Sequence, residues 1–173
     1  MHANGREHRD AETGLLDAFG LDHAIEQELS RGSRHELPLS LILLEVSAEK
    51  RKLTDESTSR VAREVAAALE SRIRGEDHAA RIGPLRFAVL AVETAESELI
   101  AANLARHVRR SISGPPENGS ALTVSVGAID CQFDELSRQE LLREAERSLA
   151  AAILAGPREA LEASVRGQAR PRP

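Results

Sequence analysis

Two spacings of apolar residues alternate along this chain. Leu39 to Val46 is a near-continuous apolar run, the pattern of a central strand buried on both faces. Val61, Val65, Ala68, Leu69 and Ile73 follow helical spacing and predict a helix over about 57–74, stopped by Gly75. The same spacing predicts helices from Thr13-Gly14-Leu15 to about Arg34, over 95–113, and over 137–156, the last ended by Gly156-Pro157. Strands are predicted over 78–82 and 86–92, joined by a tight Gly83-Pro84 turn. Another is predicted over 121–129, where Leu122, Val124 and Val126 alternate. Residues 114–120 are rich in turn formers and predict a loop. A hairpin in the middle, with helices crossing over elsewhere, predicts one α/β (α+β) domain whose sheet carries helices on its faces.

Composition narrows the class. A length of 173 residues suits one domain with a proper core, and 41% hydrophobic residues suit a folded chain. Phe19, Phe87 and Phe133 are the only aromatics, so Leu, Ile, Val and Ala must build that core. The net charge of -5 implies no general attraction to nucleic acid. Cys131 stands alone, which leaves neither an internal disulfide nor a four-ligand zinc site. Residues 1–9 are a polar leader rather than a signal peptide, and no apolar run is long enough for membrane insertion. A cytoplasmic location is expected. The Arg- and Pro-rich stretch 157–173 is expected to be a tail, either disordered or carrying a short helix over 158–165.

Several short motifs stand in one order from Asp10 to Gly156. They are Asp10-Ala11-Glu12-Thr13-Gly14-Leu15, the strand Pro38 to Val46, the helix segment Val61 to Ala66, the hairpin Arg81 to Phe87, Leu122-Thr123-Val124-Ser125-Val126-Gly127, and Ala145 to Leu149 followed by Ala155-Gly156. Together this order and spacing resemble the GGDEF (diguanylate cyclase) family over 10–156. The resemblance implies a mixed, mainly antiparallel central sheet of about five strands flanked by helices, akin to the nucleotidyl-cyclase palm.

That family joins a pair of GTP molecules into cyclic di-GMP, with Mg²⁺ held by hard oxygen ligands and glycines that let backbone N–H groups approach phosphate. The resemblance also implies that this chain has lost the reaction. At the signature turn it keeps only Gly83 and Phe87, with Pro84, Leu85 and Arg86 replacing a glycine and both acids. Pro84 removes an N–H donor there, and the cation of Arg86 would repel Mg²⁺. Glu45 stands at the first metal-binding aspartate, Ser47 at the second, and Ile153 at the phosphate-binding lysine of the last helix. Lys50 survives from the family's F-K pair, while the guanine-reading Asn and Asp find no match. No catalytic residue, no metal and no cofactor are therefore expected.

What survives is Arg74-Gly75-Glu76-Asp77, an R-x-x-D spacing at the place where the family holds cyclic di-GMP. Arg can donate a pair of hydrogen bonds to guanine O6 and N7, and Asp can accept from the opposite edge. Gly75 would let a tight turn bring both to one side. Such a spacing arises by chance in an Arg-rich chain, so its position carries the meaning. The plainer roles are an Asp77 that braces the helix-to-strand turn and an Arg74 that faces solvent. Of Arg106, Arg109 and Arg110 on the following helix, Arg106 is the candidate for a further contact.

The expectation is a catalytically inactive domain that senses cyclic di-GMP through Arg74, Asp77 and Arg106. It would pass the signal to a protein partner, with no output domain of its own and with a second copy as a further candidate partner. The alternative is a docking domain that binds no nucleotide. A third reading keeps weak GTP binding or cyclase activity around Glu45 and Lys50.

Overall fold

The structure is a computed structural model and describes residues 8–49, 52–113, 121–132 and 135–167, with 157–167 as backbone only. Lys50, Phe133, the loop 114–120 and most of the leader lie outside the described residues.

The elements run in the expected order: α1 (Ala18–His35), β1 (Leu39–Ala48), α2 (Asp55–Glu70), β2 (His78–Gly83), β3 (Arg86–Val92), α3 (Ser97–Ser111), β4 (Leu122–Cys131) and α4 (Arg138–Gly167). The strands pair in the order β2-β3-β1-β4, and every pairing is antiparallel. The described sheet thus has 4 strands, not the about five that the resemblance implied. Its parallel element is a single bridge from Leu16 to Ala80, through which the chain before α1 covers the outer edge of β2. Leu16 N–H donates to Ala79 O, and Arg81 N–H to Leu16 O, so that edge is not left open.

β1 is central because its apolar run is nearly continuous and the intervening Ser40 is buried as well. Ile42, Leu44 and Val46 face one way, onto α2 and α3 together with Phe87 and Val89. Leu39, Leu41 and Leu43 face the other way, onto α1 and α4 together with Ala88 and Leu90. The sheet is therefore sandwiched between two helical layers, each with its own apolar core.

Helix ends come from local polar groups rather than glycines. Asp17 caps α1 by accepting from Gly20 N–H, and Thr54 caps α2 by accepting from Ser57 N–H. α2 stops at Glu70, and the Ser71 hydroxyl donates to Ala68 O across its last turn. Gly75 lies beyond, so it is not the stop that the sequence suggests. α3 has no cap of its own; Asp130, at the far end of β4, accepts from Ser97 N–H and from the buried Ser40 hydroxyl. The last helix bends at Gly156, at φ 75°, and its backbone stays helical to Gly167.

One close approach decides how α4 sits. A Cβ on Gly127 of β4 would lie 2.1 Å from Leu149 N and 2.5 Å from Leu149 Cα. Only glycine lets the backbone of α4 lie this near the sheet. Ser148 then accepts from Ala128 N–H at 3.0 Å across the same contact.

Candidate functional site

The β2–β3 turn stands over the far end of β1. There the strands, the Pro84-Leu85 turn and the first turn of α2 enclose an open cleft of about 630 Å³. Glu45, Ser47, Lys52, Asp55, Pro84, Leu85 and Arg86 are among its lining residues.

Register places Glu45 directly opposite Arg86 on the neighbouring strand. The guanidinium donates to Glu45 Oε2 from Nε at 2.8 Å and lies 2.6 Å from the same oxygen through Nη2. Its remaining nitrogen, Nη1, lies 3.2 Å from Glu146 Oε2 on α4. The bond to Glu45 chiefly holds the Arg86 pKa above its usual value, so the cation is permanent. The turn itself is sewn down. Val46 N–H donates to Leu85 O at 3.0 Å, and Arg81 donates to Pro84 O at 2.9 Å.

Arg81 has a second task. It pairs with Asp10 and Glu12 of the opening motif, tying the chain start to the hairpin. Asp10 is further held by the amide and hydroxyl of Thr13. Neither this clasp nor the Arg86–Glu146 pair was foreseen from sequence. Spacing within a motif says nothing about which distant carboxylate an Arg will meet.

Mg²⁺, which the resemblance implies, does not fit these residues. It needs one or two free carboxylates, with water and substrate oxygens completing an octahedron. Leu85 and Arg86 supply none, Ser47 is a neutral hydroxyl, and Glu45 is already paired with a guanidinium. Among the described residues no group of three or more His, Cys, Asp or Glu is placed to hold a metal ion. Lys50, the basic residue that survives from the family's pattern, lies outside the described residues, and Lys52 lines the cleft.

Arg74 and Asp77 do come together, at the other end of β2. Asp77 Oδ2 accepts from Arg74 N at 2.9 Å and Nε at 3.3 Å, while Oδ1 accepts from Arg74 Nη2 and from Val92 N, each at 3.2 Å. Arg74 Nη2 also donates to Val92 O at 2.9 Å. Asp77 is only 7% exposed and fully engaged, whereas Arg74 is 50% exposed. Asp77 is thus the brace of the turn, and Arg74 is the group that reaches solvent. Glu76 and Glu93 add negative charge nearby, and the bond to Asp77 chiefly raises the Arg74 pKa. Arg106 is exposed on α3 and makes no hydrogen bond or ion pair among the described residues. It is not joined to Arg74 or Asp77. Gly75 has ordinary backbone angles and open space around it, so the turn does not depend on it.

His78 opens β2, half-buried, 3.5 Å from Glu28. No helix of the described structure is long and apolar enough to cross a membrane.

Comparison with known proteins agrees with this architecture. Three solved structures illustrate the likeness. The GGDEF domain of FimX from Pseudomonas aeruginosa matches with a TM-score of 0.71 and 16% identity, over 87% of this chain and 96% of that one. The GGDEF domain of DgcB from Caulobacter crescentus, in complex with c-di-GMP, matches with a TM-score of 0.70 and 18% identity, over 90% of this chain and 93% of that one. The diguanylate cyclase SiaD of Pseudomonas aeruginosa, in complex with its activator SiaC, matches with a TM-score of 0.70 and 24% identity. That alignment covers 87% of this chain, which spans 59% of the SiaD chain. These likenesses establish the fold. No curated protein matches. The family model for the diguanylate cyclase GGDEF domain matches residues 7–158, nearly the whole described chain. The chain therefore belongs to the GGDEF domain family, and carries Gly83-Pro84-Leu85-Arg86-Phe87 at its signature turn.

Proposed function

We propose that this chain is a catalytically inactive GGDEF domain of cyclic di-GMP signalling, acting in the cytoplasm through a protein partner and sensing the dinucleotide at Arg74. Inactivity is supported by the Arg86–Glu45 pair, which puts a fixed cation where the family reaction needs a metal. The triad of Arg86, Glu45 and Glu146 carries one positive and two negative charges, so it offers a triphosphate no net attraction.

The observation that carries the sensing reading is the posture of Arg74. Its guanidinium is half-exposed and held in one orientation by Asp77 and Val92 O. With Nε and Nη2 engaged, Nη1, 3.5 Å from Glu76 Oε1, is the nitrogen left to meet a guanine acceptor, and a guanidinium oriented in advance loses little freedom in doing so. Asp77 serves by positioning Arg74, not by reading a base. Arg106 would join only from a second contact surface.

The runner-up is a docking domain that binds no nucleotide. The acids around Arg74, namely Asp77, Glu76 and Glu93, favour it, because they oppose an anionic ligand. A third reading, residual GTP binding or cyclase activity around Glu45 and Lys50, requires Arg86 to leave its carboxylates.

Calorimetric titration of the whole chain with cyclic di-GMP separates these readings, with GTP–Mg²⁺ and Arg74→Ala as controls. Micromolar binding that Arg74→Ala abolishes is the expected outcome. No heat with cyclic di-GMP would sink the sensing reading in favour of docking. Turnover of GTP that Glu45→Ala removes would overturn inactivity.

A further inference from the structure

Arg86 reaches carboxylates on two different elements. Glu45 comes from β1 and Glu146 from α4, and the guanidinium bridges them at 2.6 Å and 3.2 Å. Loss of catalysis alone would be served by any neutral side chain at this position. A neutral side chain would, however, leave two carboxylates at the cleft mouth without a counter-charge between them. Such a pair of hard oxygen donors attracts a divalent cation. Donor oxygens on one such ion lie at most about 4–5 Å apart, twice the metal–oxygen distance. Glu146 is about half exposed, at 48%, so its side chain has room to close on Glu45.

We infer that Arg86 is a tethered cation that takes the place of a divalent ion between Glu45 and Glu146 and keeps that pair from binding one. The metal of the family reaction is here replaced by part of the chain. The counter-charge at the cleft mouth is thereby independent of metal supply, and the hairpin is linked to α4 without an ion. This deepens the proposed inactivity and rests on that reading of the cleft, but it is independent of any ligand at Arg74.

The test is Mn²⁺ titration of the whole chain followed by electron paramagnetic resonance, which counts free Mn²⁺ and needs no catalysis. The wild type and Arg86→Lys, which keeps a tethered charge, should bind no Mn²⁺ at this site. Arg86→Gln should gain one Mn²⁺ bound per chain under conditions where the wild type binds none, and Arg86→Gln with Glu146→Gln should lose that gain. Circular dichroism checks each fold, and Arg86→Ala replaces Arg86→Gln if the latter does not fold. A wild type that binds as well as Arg86→Gln would overturn the inference. So would an Arg86→Gln with no gain, or a gain that survives the loss of Glu146. A failed cyclic di-GMP titration leaves it standing, and cyclase turnover by the wild type sinks inactivity without any Mn²⁺ measurement.

Discussion

Replacing Asp77 with Ala separates structure from recognition at the R-x-x-D turn. Its carboxylate accepts from two backbone N–H groups, those of Arg74 and Val92, and from the Arg74 side chain. Val92 is 2% exposed, so its N–H has no ready water to replace the lost acceptor. A buried donor left unpaired costs about 1–3 kcal/mol, and loss of the charge-assisted bond at the turn adds about 1 kcal/mol. Asp77→Ala should therefore lower stability by about 2–4 kcal/mol. Arg74→Ala removes a half-exposed pair that solvent screens and the donor to Val92 O, at a cost of about 1–2 kcal/mol. Urea unfolding of both variants beside the wild type measures the difference. If Asp77→Ala is no more destabilising than Arg74→Ala, the carboxylate is not a brace and its engagement means little. If the difference appears, a binding defect in an Asp77 variant says nothing about base recognition, and Arg74→Ala alone is the fair probe of a ligand.

Two further outcomes follow from the packing and the charges. Gly127→Ala should destabilise by at least ~2 kcal/mol in the same urea assay, because its methyl meets the backbone of α4 rather than a side chain that can turn aside. A value within about 0.5 kcal/mol of wild type would show that α4 can lift off the sheet freely. Burial raises the Asp10 pKa, but bonds from Thr13 and Arg81 outweigh it and leave the value below the usual 3.8. Its contribution is therefore complete above the unfolded pKa and is lost as pH falls through the folded one. Acid unfolding below about pH 4 should be less steep in Asp10→Asn than in the wild type. Equal slopes would mean that the clasp to Arg81 does not favour the ionised form.

The element order was legible because each segment carries its own period. β1 is apolar at successive positions since both of its faces meet helices, and α2 is apolar at every third or fourth position since one face does. Helix ends were less legible. Gly75 is the obvious stop for α2, yet the helix ends before it, at Glu70, with the Ser71 hydroxyl bonded back to Ala68 O. The signature turn could be aligned from Gly83 and Phe87, and the missing acids were plain. The fate of Arg86 was not. Its partners lie on β1 and on α4, far apart in sequence, and only the antiparallel register and the close seat of α4 on Gly127 bring them within reach.

The R-x-x-D site shows the same division. The spacing was open to a pair of recognition groups and to plainer roles, an Asp77 that braces the turn and an Arg74 that faces solvent. The fold makes them unequal, because Asp77 is drawn inward by the free N–H at the end of β3 while Arg74 stays at the surface. Local pattern by itself determined the order of helices and strands, because propensity and periodicity act between near neighbours, and the order of short motifs along the chain carried the resemblance to the family. Which charges meet, which are buried, and which remain free for a ligand was decided only by tertiary structure, since those distances depend on how the helices pack against the sheet.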